Sequence, residues 1–217
     1  DAFRVRLGWD VPCDGDLEYD EYDAAPAHYV IARDAAGSLQ GCWRLLPTTQ
    51  GHYMLAKRFA HLLSEHATLP RNDKVWEISR FAALCRADGM CAFSETPIRM
   101  MQVAVAFAHQ RGIEHFVVVT TPAIERMLCS IGVRSQRWSA PTACGVAQAV
   151  VLCFDLDQQL DCALQAARAQ VERKVQRAWL VADCRRAALP APVSEDRRTS
   201  PPLLFPVPPS QIVGALT

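Results

Sequence analysis

One carboxylate and two arginines of this chain sit in company that seldom tolerates charge. Arg44 lies within the apolar run "GCWRLL", Gly41 to Leu46, and Glu77, Ser79 and Arg80 lie within "VWEISRFAA", Val75 to Ala83, which otherwise reads as a buried strand. Asp20 and Asp23 come from an acidic, aromatic stretch, "LGWDVPCDGDLEYDEYD", Leu7 to Asp23, whose Pro12 and Gly15 mark it as a loop that displays carboxylates. Burying an ionised carboxylate is costly unless it is paired and hydrogen-bonded. Two readings follow. The five residues brace the loop against a sheet as a structural ion-pair network, a task suited to the bidentate fork of arginine. Alternatively they line a site for a small zwitterion, because so many charges are an expensive brace once their desolvation is counted.

Strand geometry sharpens the choice. Alternation puts Glu77, Ser79 and Phe81 on one face and Trp76, Ile78 and Arg80 on the other. Glu77 and Arg80 serve one site only if a bulge or a splay of the strands interrupts the pattern near Ser79 to Phe81. An unbroken strand would leave Arg80 as a structural partner alone.

Other chemistries find little support. "GSLQG", Gly37 to Gly41, has serine in the second position where a nucleophile elbow needs the third. The 6 histidines lack any His-Glu-x-x-His or similar ligand spacing, so they read as surface or packing residues and no metal is expected. No glycine-rich phosphate loop is present. The 9 cysteines are scattered without a Cys-x-x-Cys pair and read mostly as small core residues of a reduced, cytoplasmic protein. Lys+Arg and Asp+Glu both number 23, a balance without the basic excess that drives general nucleic-acid binding. No apolar run reaches the roughly 18 residues a membrane span needs, and no secretory signal opens the chain.

The elements that must hold the charged residues follow from periodicity. A chain of 217 residues, 50% of them hydrophobic, can bury one substantial core. Apolar runs at Tyr29 to Ala32 and Cys42 to Leu46, around Gly37 and Gly41, predict a β-hairpin. Helical spacing over Met54 to Leu63 predicts a helix before the Glu77 strand. A second helix is expected from about Pro97 to Arg111, capped by Thr96 and stopped by Gly112, with Ile98, Met101, Val105 and Ala108 inward. "IEHFVVVTT" reads as a buried strand and "PAIERMLCSIG" as a helix between Thr121 and Gly132. A strand from Val146 to Phe154 and a long helix from about Gln158 to Ala188 follow. This order predicts a mixed sheet with helices on both faces. One domain is expected over residues 1–188. Residues 189–217 are Pro-rich, lack an apolar face, and are expected to be mobile.

The series Phe3, "LGW" to Trp9, Asp20, Asp23, "GCWRLLPT", "WEISRFA" and "TTPAIERMLCSIG" resembles the acyl-homoserine lactone synthases, the LuxI-type autoinducer synthases of quorum-sensing bacteria, in order and spacing from about Phe3 to Asp157. The resemblance implies a three-layer, acetyltransferase-like α/β/α sandwich. It also implies two partners, S-adenosylmethionine and an acyl chain on acyl carrier protein or coenzyme A, with no separate cofactor because S-adenosylmethionine is itself a substrate. It puts the family's aromatic, acidic and basic positions on Phe3, Trp9, Asp20, Asp23, Arg44, Glu77 and Arg80. The family carries a further arginine and helix ahead of Phe3, and that segment is apparently missing before Asp1.

On this resemblance Glu77 is the base that takes a proton from the substrate amine, while Asp20, Asp23, Arg44 and Arg80 complement a zwitterion together with Phe3 and Trp9. An apolar acyl tunnel is expected from Met100, Met101, Val105, Val117, Val119, Met127 and Leu128, although methionine at helical spacing equally suits plain core. A threonine near Thr120 and Thr121 is associated in the family with a 3-oxo group; Thr121 is read as a helix cap and Thr120 stays open. Basic residues such as Arg99, Arg134 and Arg137 are candidates for docking an acidic carrier protein. An acetyl-coenzyme A N-acetyltransferase of similar fold and a non-catalytic ligand sensor are the competing readings.

Overall fold

A computed structural model describes residues 13–15, 17–24, 26–83, 95–144, 147–187 and 212–213. The described residues open with a small hairpin, β1 (Cys13–Asp14) and β2 (Leu17–Glu18), inside the stretch expected as a loop. The predicted hairpin follows as β3 (His28–Arg33) and β4 (Leu39–Pro47). Its turn is held by Asp34, whose Oδ1 accepts the N–H groups of Ala36 at 3.0 Å and Ser38 at 2.8 Å, and by Gly37 at φ +84°.

The chain then makes a short α1 (Met54–Lys57) and a 3-10 turn (Ala60–Leu62) where the spacing predicts one continuous helix. β5 (Val75–Ala83) pairs antiparallel with β4. α2 (Glu95–Gln110) crosses over to β6 (His115–Thr120), which lies parallel to β5 in a βαβ unit. Thr96 falls inside the first turn of α2, so it does not cap it; Gly112 ends the helix region at φ +66° as expected.

α3 (Pro122–Ser130) starts as predicted: Thr121 Oγ1 accepts the N–H of Ile124 at 3.4 Å, and Pro122 occupies the first turn. Short strands β7 (Gln136–Arg137) and β8 (Thr142–Cys144) flank β9 (Ala147–Asp155), and α4 (Gln158–Ala187) completes the order. The main sheet runs β10-β3-β4-β5-β6-β9-β7, with β8 also on β9, where β10 is Ile212–Val213. These two residues of the expected tail pair with Ile31 and Ala32 on the outer edge of β3, whose backbone groups offer a template for one more strand. Residues 189–211 and 214–217, the rest of that tail, lie outside the described residues.

Two cores sandwich the sheet. On one face Trp43, Leu45, Trp76, Ile78, Phe116, Leu152 and Phe154 meet α2, α3 and α4. The predicted inward stripe of α2 is buried throughout, joined by Met100, Ala104 and Phe107. On the other face Leu46, Val75, Val117 and Val151 pack with Tyr22, Tyr53, Leu55 and Leu62 from the loop, α1 and the 3-10 turn. Helical elements therefore cover both faces, thickly on one and thinly on the other.

Among the described residues, five cysteines only partly fit the core role expected of most of them. Cys153 is buried, Cys42 and Cys144 are half-buried, and Cys129 and Cys162 are exposed on α3 and α4, where the outer helix faces need no apolar residue. Among the described residues no group of His, Cys, Asp and Glu side chains is arranged to share a metal ion. No described helix is long and apolar enough to cross a membrane.

Candidate active site

Arg44 reaches the thin face of the sheet as a fully buried side chain, and everything it donates is accepted. Its Nη1 donates to Asp20 Oδ1 and to Asp23 Oδ1, both at 2.6 Å. Its Nη2 lies 3.3 Å from Asp20 Oδ2 and 3.0 Å from the Met54 sulfur, and its Nε donates to Ser79 Oγ at 3.1 Å. Arg80 Nη2 donates to the second oxygen of Asp20 at 2.5 Å. The aspartates are fixed in turn by their own loop. Asp23 Oδ2 accepts the backbone N–H of Asp20 at 2.7 Å, and Asp20 Oδ1 accepts that of Tyr22 at 2.9 Å. The Tyr29 hydroxyl, from the cross-strand neighbour of Arg44, donates to Asp23 Oδ1.

Glu77 lies on the same face, one step along β5. It is buried, with Oε1 accepting the Met54 N–H at 3.1 Å and Oε2 accepting the Leu55 N–H at 2.6 Å. Those N–H groups open α1, where Tyr53 at the cap position offers no side-chain bond, so Glu77 supplies what the cap does not.

Electrostatics divide the carboxylates. Burial pushes the Glu77 carboxyl up to about 7, against the opposing pull of the Leu55 and Met54 N–H groups and the more distant Arg44. Burial works the same way on Asp20, but the guanidinium groups of Arg44 and Arg80 outweigh it and hold that carboxyl below its usual range. Burial would lower the Arg44 guanidinium, yet Asp20 and Asp23 hold it above its ordinary value. Tyr29 is raised by burial and by donating to Asp23.

The predicted break in β5 is present. Cys42 pairs with Ala82 and Arg44 with Ser79, so Trp43 alone faces both Arg80 and Phe81, and Arg80 takes φ +54°. This bulge reverses the alternation. Arg80 joins Glu77 and Ser79 on the charged face, and Phe81 crosses to the apolar face, where its ring meets Trp43 edge-on at 5.3 Å. At the same level β5 parts from β6. Their pairing ends at Ile78 and Val118, whereas β6 continues along β9 to Thr120.

On the apolar side of this gap lies a cavity of about 610 Å³, counting its open mouth. Trp43, Ile78 and Phe81 form its sheet wall, and Met101, Ile124, Met127 and Leu128 reach it from α2 and α3. Of the residues expected in an acyl tunnel, Met101, Met127 and Leu128 line this cavity; Met100, Val105, Val119 and Thr120 do not. Met100 packs where a Cβ on Gly41 would meet its sulfur at 2.8 Å, and Val105 is plain core. Val119 and Val117 point to the opposite face, against the Leu46 cluster, and Val118 takes the lining position. The run "HFVVV" is apolar on both faces, so it carries no alternation to give its phase. Phe3 and Trp9 lie outside the described residues.

Tyr29, the Met54 and Leu55 amides and Phe81 belong to the site without having been read from the sequence. Tyr29 alone left a signal, a tyrosine on the strand six residues after Asp23. Its partner depends on hairpin register.

The autoinducer synthase family model matches residues 1–164. A curated acyl-homoserine-lactone synthase of Ralstonia solanacearum is 39% identical over 169 residues, covering 75% of this chain and 81% of that protein. Among solved structures, TofI in a ternary complex with an inhibitor and MTA is 40% identical and covers 77% of this chain and 85% of its own, with a TM-score of 0.65. The AHL synthase LasI is 34% identical over 75% of this chain and 81% of its own, with a TM-score of 0.66. The described sheet and helices form the acetyltransferase-like α/β/α sandwich common to these structures.

Proposed function

The chain belongs to the autoinducer synthase family, and from that premise we propose how its charged cluster and its cavity divide the work of an acyl-homoserine-lactone synthase. The enzyme transfers an acyl group from acyl carrier protein or acyl-CoA to the amine of S-adenosylmethionine, then closes the lactone and releases methylthioadenosine, making a quorum-sensing signal. The observation that carries our assignment is convergence: Asp20, Asp23, Arg44, Ser79, Glu77 and Arg80 gather on one face of the sheet at the point where β5 leaves β6.

S-adenosylmethionine brings a sulfonium, an ammonium and a carboxylate. Asp20 and Asp23 favour its cationic end, and Arg80, at the edge of the buried network, forks its carboxylate. Arg44 is already saturated by protein acceptors, so its part is to hold the two aspartates in place.

Acylation needs the free amine. An α-amino group with a pKa of about 7.7 to 8.0 is partly unprotonated near neutrality, so a weak base suffices. Glu77, poised at about 7, fits that need. Each of its oxygens keeps a lone pair beyond the N–H it accepts, so the proton reaches it through one water. The amine nitrogen attacks the thioester carbon, and backbone N–H groups freed where the strands part stabilise the oxyanion. The C–S bond breaks and the thiol leaves with a proton.

In the second step the substrate carboxylate attacks the γ-carbon as the C–S bond of the sulfonium breaks. Neutral methylthioadenosine departs. No proton moves, so alignment governs the rate. The acyl chain extends through the gap into the cavity on the other face. The steps as written call on no metal and no further cofactor, and we assign the reaction to the cytoplasm.

The purified chain incubated with S-adenosylmethionine and an acylated carrier protein or acyl-CoA should release methylthioadenosine and an acyl-homoserine lactone seen by mass spectrometry. Coenzyme A release without methylthioadenosine would make it an ordinary acetyltransferase. Binding without product would make it a sensor.

A further inference from the structure

The charged cluster has one sulfur among its oxygens, and that sulfur belongs to a residue that also holds Glu77. The buried guanidinium of Arg44 donates to oxygens of Asp20, Asp23 and Ser79 and, from Nη2, to the Met54 sulfur at 3.0 Å. Met54 also gives its backbone N–H to Glu77 Oε1 at 3.1 Å. Among the described residues no other hydrogen-bonds to both of these side chains. One residue therefore sets the separation between Glu77 and the arginine that holds Asp20 and Asp23.

The chemistry of the sulfur suits that position. A thioether is a weak and neutral acceptor, so it completes Arg44 without placing another charge beside Glu77. The charged or titratable groups already bearing on Glu77 are Arg44 on β4, Asp20 in the loop and Tyr53 just ahead of α1. Without the sulfur, a buried guanidinium N–H would lose its acceptor, and the group would shift to find another. Met54 is half-buried and also packs against the Leu46 cluster, so plain packing is the competing account.

We propose that Met54 is a positioning residue for acyl transfer, whose sulfur holds Arg44 at a fixed distance from Glu77 so that Asp20, Asp23 and the base meet one S-adenosylmethionine molecule in register. This rests on the roles given above to Glu77 and the two aspartates. Small misplacements of such groups are costly to the rate.

The test measures methylthioadenosine release by the full chain carrying Met54→Leu or Met54→Gln. Leucine keeps the amide and nearly the volume but has no acceptor; glutamine keeps the amide and supplies a carbonyl oxygen. Met54→Leu should lower kcat/KM for S-adenosylmethionine by roughly tenfold, the scale of one hydrogen bond, with KM for the acyl donor unchanged. Met54→Gln should recover most of that loss. Packing alone predicts the reverse order, because leucine suits apolar neighbours better than glutamine does. Unchanged kcat/KM in Met54→Leu, a folded Met54→Gln less active than Met54→Leu, or an equal rise in KM for both substrates overturns the inference and leaves the synthase assignment standing. No methylthioadenosine from the wild-type chain overturns both. Should Met54→Leu fail to fold in a thermal melt, Met54→Gln decides: activity near the wild-type level supports the inference, and its loss overturns it.

Discussion

Glu77 has two duties that pull its protonation in opposite directions. The Met54 and Leu55 N–H groups favour the carboxylate, while full burial favours the acid, and burial prevails to set the group at about 7. Its ordinary value is 4.5, so between those limits the folded protein holds a proton that the unfolded chain has lost. The contribution of Glu77 to stability is therefore complete below 4.5, falls as the pH rises through 7, and is flat above it. Glu77→Gln should erase that slope in urea-unfolding midpoints measured across the window. The same variant should lose the rise of kcat/KM with pH that a base of this kind produces, and with it most amide formation. A fully active variant would move the base elsewhere. Gln presents one accepting oxygen to two N–H groups, so stability above neutral pH should also drop, by about 1 to 3 kcal/mol; the sequence alone offered no reason to expect this. Arg44, Glu77 and Arg80 were legible because charge inside apolar runs is conspicuous, and Asp20 and Asp23 because they stand in a loop that displays carboxylates. Tyr29 was not, since an amphipathic ring on a strand looks the same with or without a carboxylate at its hydroxyl.

The bulge in β5 is where a local rule is broken for the sake of the site. Arg80 at φ +54° adopts a conformation that L-residues avoid, and in return its guanidinium reaches Asp20 beside Arg44. The alternation of Glu77 and Arg80 announced such a break, because both could not otherwise face one cluster. Removing the side chain separates backbone from charge. Arg80→Ala and Arg80→Gly both lose the pair with Asp20, but alanine must still hold the left-handed backbone at about 1 to 2 kcal/mol. Glycine escapes that cost and gives back about 0.4 to 1 kcal/mol through its freer unfolded chain. Arg80→Gly should therefore be the more stable of the two by up to about 1.6 kcal/mol in denaturant titrations; Arg80→Ala unfolding later would mean that this backbone is not strained. The regular elements were readable wherever two signals agreed. Thr121, Pro122 and Gly132 bracket α3, and Gly112 stops α2. Between Met54 and Leu63 only the apolar spacing was available. It does not register that Glu77 satisfies the first amides of α1, after which the chain needs only one turn.

At the scale of the molecule, the sheet keeps two recognition problems apart. Charge lies on the thin face, beneath the loop that carries Asp20 and Asp23; hydrocarbon lies on the thick face, beneath α2 and α3. Both lie near the level where the pairing of β5 and β6 ends. The layered architecture was legible from the order of elements, whereas the division of labour between faces was not, because it depends on the phase of β6 and on a bulge that sends Phe81 one way and Arg80 the other. Separation of this kind has a measurable consequence. Ile124→Trp fills the cavity from α3 and should depress kcat/KM for long acyl donors more than for short ones, with an overpacking cost of about 1 to 3 kcal/mol in stability. Tyr29→Phe removes one of the two side-chain donors to Asp23 Oδ1, leaving Arg44, and should raise KM for S-adenosylmethionine without altering chain-length preference. The two residues share no partner and stand on opposite faces, so in the double variant the logarithms of the two effects should add to within about 0.5 kcal/mol, each measured with the other substrate saturating. A large interaction term, or an Ile124→Trp variant that weakens S-adenosylmethionine as much as the acyl donor, would mean that both substrates lie on one side of the sheet.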